Sequence, residues 1–145
     1  MVGMRRIKPG QMYMGRLRYG ADLLKELTRI CLEAQVGCGR LEAIGAVQRA
    51  RIGYYDQKKR EYGFMEFEEE LEITALLGNV SIKDEKPMVH AHVTLANTQG
   101  RAYGGHLAPG TVIFACEYIL QAFDEPTLVR GFDQQTGLAL WTMAD

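Results

Sequence analysis

Apolar positions along this chain recur with two different periods. In "GADLLKELTRICLEAQVG" the residues Leu23, Leu27, Ile30, Cys31 and Ala34 fall at helical spacing, which predicts one amphipathic helix. Asp22 stands where a carboxylate suits the positive end of the helix dipole, and Gly37 is the expected stop in the left-handed conformation. Beyond Gly37 the chain has the period of two that belongs to strands. "RLEAIGAVQRARIGYY" reads as one long strand, with Ala46, Ala50, Ile52 and Tyr54 on one face and Arg49 and Arg51 on the other. Its pattern is less regular before Gly45, so a bulge or bend is expected there. Further strands are predicted around Tyr62–Phe67, Leu71–Ile82, Met88–Ala96, Arg101–Leu107 and Thr111–Phe123. The last of these sets Val112, Phe114, Cys116, Tyr118, Leu120 and Ala122 on one face. Short extended pieces are expected near Thr127–Phe132 and Leu138–Trp141.

One principal helix among many strands predicts an α+β fold, a mainly antiparallel sheet packed with that helix. There is no repeat, linker or low-complexity tract, so residues 1–145 read as one domain, with 1–10 as a flexible arm and 126–145 as a C-terminal extension. A chain of this length buries roughly two-thirds of its unfolded surface and needs no covalent staple.

Charge and cysteine usage narrow the function classes. The formal net charge is −1, too little positive charge to coat a phosphate backbone. Arg5, Arg6, Lys8, Arg16 and Arg18 open the chain without an acid among them, and read as a solvated arm and strand face. Cys31, Cys38 and Cys116 form neither a CxxC pair nor a disulfide framework, which suits free thiols in a reducing, cytoplasmic setting. No apolar leader core opens the chain, and no stretch approaches the roughly 18 apolar residues of a membrane helix. Two suggestive motifs fail on context. "GCGRLE" has Glu42 where a dinucleotide fingerprint needs its third glycine, and it joins a helix to a strand, the reverse of the phosphate-cradling order. "KKREYGFMEFEEELE" reads as the solvated faces of a hairpin.

The chemistry lies in "MVHAHVTLANTQGRAYGGHL", which holds every histidine of the chain. His90 and His92 are two apart on a strand and share a face, opposite the core face of Val89, Ala91, Val93 and Leu95. A three-residue loop Thr98–Gln99–Gly100, a type I turn with Gly100 left-handed, pairs Asn97 with Arg101. That register sets His106 directly across from His92, provided Gly104 and Gly105 insert no bulge. Three converging imidazoles suit zinc, copper, nickel or iron.

"GRLEAIGAV", "LEITALLGNVS", "HAHVTLANTQGRAYGGHL" and "GTVIFACEYIL" together resemble the PPC domain, conserved between plants and prokaryotes, over roughly residues 11–125. Gly39-Arg40-x-Glu42, Gly78-Asn79, the HxH strand and Gly104-Gly105-His106 carry the likeness. The resemblance implies a sheet packed on a helix, assembly as a homotrimer, and a metal at His90, His92 and His106. We expect zinc or another divalent transition metal, one per chain. The plant proteins carry an AT-hook before this domain. "GRLRYG" lacks the proline of that motif, so DNA binding is expected to be weak or absent.

Three functions are consistent with these residues. The first is a trimeric metal-binding module that recognises a protein partner or a small ligand. The second is a small zinc-dependent enzyme with Glu117 or Glu42 as its base; either carboxylate is also the expected fourth ligand of a closed site. The third is a DNA-associated regulator with a basic face.

Overall fold

The structure is a computed structural model and describes residues 3–143. Its elements run β1 (Lys8–Arg16), α1 (Leu23–Glu33), β2 (Gly39–Asp56), β3 (Glu61–Phe67), β4 (Leu71–Lys83), β5 (Lys86–Ala96), β6 (Ala102–Leu107), β7 (Val112–Glu125), β8 (Arg130–Phe132) and β9 (Ala139–Trp141). The predicted class holds: an antiparallel sheet packed with one helix among the described residues. β1 begins inside the stretch expected as an arm, and the extension carries the small β8–β9 hairpin. Residues 1–2 and 144–145 of those two segments lie outside the described residues.

The helix forms where the apolar spacing places it. Asp22 caps it, accepting from the Lys25 backbone N–H at 3.0 Å, while its other carboxylate oxygen accepts from Gly110 N–H at 2.6 Å. Leu23, Leu27, Ile30 and Cys31 are buried, each stabilising the fold by roughly 1.5–3 kcal/mol at most. The stop differs from the expected one. Gln35, not Gly37, takes the left-handed conformation, at φ 55°. Val36 N–H reaches back to the Cys31 carbonyl at 2.8 Å and Gln35 N–H to the Leu32 carbonyl at 3.1 Å. This is a Schellman ending, and it is drawn two residues earlier because Val36 is buried and must fold back onto the helix.

β2 is the strand on which the sheet is built. Along one edge it pairs with β4 and then β3; along the other it pairs with β7 and then β6. Since β4, β5 and β6 are themselves neighbours, the β2–β6 contact closes that half of the sheet on itself. The register shifts against β4 between Ala43 and Gly45, where the sequence predicts an irregularity. Gly45 has φ 151°, and a Cβ there would stand 2.1 Å from the Ala115 carbonyl oxygen. The swap of buried face, however, comes later. Leu41, Ala43 and Val47 are buried on one phase and Ala50 and Ile52 on the other, so the extra residue is Gln48, where pairing with β7 also slips. A second slip, between Ala46 and Val47, corrects the reading of β7: Ile113 is fully buried and Phe114 is 58% exposed.

The inner face and α1 enclose the core, with Leu27, Leu41, Ile52, Leu76, Leu95 and Leu120 at its centre. Among the described residues, one charged side chain enters it. Glu26, 3% exposed, is gripped by Arg18 and Arg29, with Arg29 donating from Nε at 3.0 Å and from Nη2 at 3.1 Å. Hydrogen bonds from Arg18 and then Arg29 hold its pKa down from 4.5 to about 2. A carboxyl whose pKa is lower folded than unfolded stabilises the fold above its unfolded value and loses that contribution as pH falls through its folded value. Between pH 4.5 and about 2 the protein is therefore expected to lose stability, more steeply than Glu26→Gln does. At neutral pH, Glu26→Gln is expected to cost about 1–3 kcal/mol. Denaturant unfolding across that pH range, at fixed protein concentration, checks both.

Candidate metal centre

The turn chemistry of the β5–β6 hairpin sets the site. Gly100 has φ 75°, and its N–H bonds the Asn97 carbonyl at 2.9 Å. Asn97 Oδ1 accepts from the N–H groups of Gln99 at 3.1 Å and Arg101 at 2.9 Å, and Asn97 N–H pairs with the Arg101 carbonyl at 3.0 Å. The ladder then runs without a bulge, pairing Leu95 with Tyr103 and His92 with His106. Gly105 is needed there for a reason in a third strand. A Cβ at 105 would stand 2.6 Å from the Gly53 carbonyl oxygen of β2, so the missing side chain is what lets β6 close onto β2.

His90, His92 and His106 converge as predicted. Each offers one nitrogen, and these atoms all lie within 4.8 Å of one another. The ring centroids are 5.2 Å apart for His90 and His92, 5.1 Å for His90 and His106, and 5.7 Å for His92 and His106. His90 and His106 are half-buried and His92 is exposed. Burial, then the neighbouring His106, Arg130 and His92, push the His90 pKa down to about 4. Burial, then His92, lowers that of His106. Both rings are therefore in the neutral form that ligates a metal. His106 Nδ1 is buried and has no hydrogen-bond partner, a state that costs about 1–3 kcal/mol for a polar atom. Neutral imidazoles in a close cluster with an unsatisfied buried nitrogen are a donor set that fits a divalent transition metal.

The carboxylates named from the sequence stand apart from this cluster. In-register residues run across five strands as Ile119, Glu42, Leu77, His92 and His106, so Glu42 shares the outer face with His92 but Leu77 separates them. Glu42 is 3.3 Å from Arg40. Glu117 is exposed on β7, and the two acids line a separate groove with Arg16 and Tyr118. Neither joins the donor atoms around the histidines.

Two features of the site were not visible in the sequence. Tyr62 of β3 lies over His106, with ring centroids 4.9 Å apart. Arg130, from the C-terminal hairpin, reaches Asn79 Oδ1 at 2.7 Å, and Asn79 sits directly opposite His90 in the β4–β5 ladder. The Gly78-Asn79 pair was the available signal: a Cβ at 78 would come 2.9 Å from the His90 carbonyl, and Asn79 is the acceptor that holds Arg130.

Fold and site define a histidine-bearing β-sheet module, and its family is identifiable. The Plants and Prokaryotes Conserved (PCC) domain matches residues 4–124, and the chain belongs to that family. A metal-containing protein from Archaeoglobus fulgidus is 44% identical, with a TM-score of 0.90 over 94% of this chain and 96% of its own. A plant- and prokaryote-conserved (PPC) protein from Pyrococcus horikoshii is 33% identical, with a TM-score of 0.92 over 100% of this chain and 99% of its own. A bifunctional protein GlmU of Synechococcus is 35% identical over 133 residues, 89% of this chain; the chain spans only 20% of that relative's length.

The approach of β6 to β2 can be tested by adding one methyl group at a time. Gly105→Ala is expected to destabilise the protein by about 1–3 kcal/mol through overpacking. Gly104→Ala is expected to be close to neutral, because its Cβ would meet nothing nearer than 3.5 Å. Thermal unfolding of the two variants side by side reads the difference.

Proposed function

We propose that this protein is a metal-dependent recognition module, in which His90, His92 and His106 hold one divalent transition metal per chain, zinc first, with a position left for a ligand. The observation that carries this reading is the convergence of three imidazole nitrogens within 4.8 Å on a hairpin whose register its turn dictates. The metal-containing relative from Archaeoglobus fulgidus supports it. The metal supplies Lewis acidity and a charge of +2; the chain's own residues supply neutral donors, the ring contact of Tyr62 and the cationic flank of Arg130.

The reading includes a homotrimer in the cytoplasm. Met14, Leu77 and Ile44 are 80%, 64% and 59% exposed on the outer face of the sheet, an apolar surface that a lone chain leaves to water. A small zinc-dependent enzyme is the second reading; the three-histidine donor set favours it, while Glu42 and Glu117, its candidate bases, line a groove of their own. A DNA-associated role has less support. The net charge of −1 offers little counterion release on a phosphate backbone, and any DNA binding should be weak, salt-sensitive and independent of sequence. No helix among the described residues is long and apolar enough to cross a membrane.

Two outcomes are expected. Protein purified without added metal or a metal-binding tag should carry one metal per chain, and His92→Ala should abolish that stoichiometric metal while circular dichroism stays unchanged. The fold survives because the core face of β5 is Val89, Ala91, Val93 and Leu95; full metal content in the variant overturns the assignment. Light scattering at micromolar concentration should give three times the 16.3 kDa chain mass, and a monodisperse monomer overturns the trimer.

A further inference from the structure

Among the described residues, Arg130 forms no ion pair with a carboxylate. Its guanidinium donates from Nε to Ser81 Oγ at 2.7 Å, from Nη1 to the Ala139 carbonyl at 2.9 Å and from Nη2 to Asn79 Oδ1 at 2.7 Å. All three acceptors are neutral. Burial lowers its pKa from the ordinary guanidinium value. A half-buried cation held only by neutral groups is costly, and an incoming anion relieves that cost. A guanidinium has five N–H donors, so two remain free for such a partner.

The surroundings say what kind of anion fits. Arg130 and His90 line a cavity of about 750 Å³, and no aspartate or glutamate is among its described lining residues. That volume suits a small organic molecule. Its other walls include Leu128 and Trp141, and the Trp141 ring centroid is 5.7 Å from the Arg130 guanidinium. Arg130 and His90 also line a second cavity of about 310 Å³, shared with His106 and Glu61. Arg130 therefore lines both a cavity that reaches the histidine cluster and a larger, partly aromatic one. The contributing hairpin lies beyond the 4–124 stretch that defines the family.

We propose that this cavity binds a small organic oxyanion, a carboxylate or phosphate monoester with an apolar planar body, its charge on Arg130 beside His90 and its body on Leu128 and Trp141. This deepens the metal-module reading and rests on it for the second positive charge, which a cation at the histidines supplies. The oxyanion class explains why Asn79, opposite His90, is used to hold a guanidinium rather than a ligand. It also explains why the pocket lining combines apolar side chains with a cation.

Trp141 is the only tryptophan in the chain, so its fluorescence reports the pocket directly. The probes are phenyl phosphate, benzoate and, as the uncharged body alone, phenol. They are titrated into the protein as purified and after chelation, with calorimetry in parallel and metal content measured on each sample. Saturable binding of phenyl phosphate or benzoate below about 1 mM is expected, with phenol at least about tenfold weaker. The tighter of the two anions assigns the phosphate or carboxylate class. Arg130→Gln should weaken the charged probes about tenfold or more, the worth of a charge-assisted contact. Because Arg130 also ties the C-terminal hairpin to β4, the comparison of phenol with the anions in unmutated protein stands as an independent arm. Phenol binding as tightly as the anions, or no saturable signal from either anion, overturns the inference. Metal-loaded protein that ignores the anions overturns it while leaving the metal reading intact. Metal-free protein that still binds them as tightly through Arg130 supports the anion site and overturns the part assigned to the metal's charge.

Discussion

The structure depends on one close approach. β6 can return to β2 only because residue 105 has no side chain to meet the Gly53 carbonyl, and that return closes β2, β4, β5 and β6 into a continuous ring of paired strands. Without it, His106 would sit on a free edge. With it, His106 is braced between β5 and β2, with Tyr62 over its ring. Closure also divides the sheet's two faces: the inner one is filled by leucines and α1, and the outer one is left to the histidines, Asn79 and the apolar row through Leu77. Polar chemistry and packing are thereby separated along the same strand, residue by residue.

The site was legible because it is local. The turn from Asn97 to Arg101 is written in residue types that permit few alternatives, and the regular ladder from Ala96–Ala102 to His92–His106 carries that information to the third histidine. The face of His90 and His92 followed from the apolar partners between them. The fold class was legible for a similar reason, since period and length separate the helix from the strands. The errors have a common physical origin. The slips at Gln48 and Phe114 arise where β2 exchanges one neighbour for another, so the pattern obeys the strands alongside and not the strand itself. The helix stop at Gln35 depends on Val36 being buried, which is a tertiary fact.

Long-range contacts were the least visible. Glu26 looks like any helical glutamate until Arg18, eight residues earlier, is folded beside it. Arg130 is separated from Asn79 by 51 residues and is brought to it by a hairpin that has little pattern of its own. Glu42 and Glu117 were natural candidates for chemistry because acids interrupt apolar strands there. Their neighbours are Arg40, Arg16 and Tyr118, and two strands' width separates Glu42 from His92. The same sheet thus carries the groove of Glu42 and Glu117 and the histidine cluster in separate places, and Arg130 flanks the second.

In the proposed centre three imidazoles, and not the cysteines, bind the metal. All three cysteines are buried, and burial raises the pKa of Cys31 to about 12 and of Cys116 to about 11, which keeps those thiols protonated and poor as ligands. X-ray absorption at the edge of the bound metal, on protein purified without a metal-binding tag, tests this most directly. Only nitrogen and oxygen neighbours are expected, with the multiple-scattering signature of three imidazole rings. A sulfur shell, or a signature of one ring or none, would contradict it.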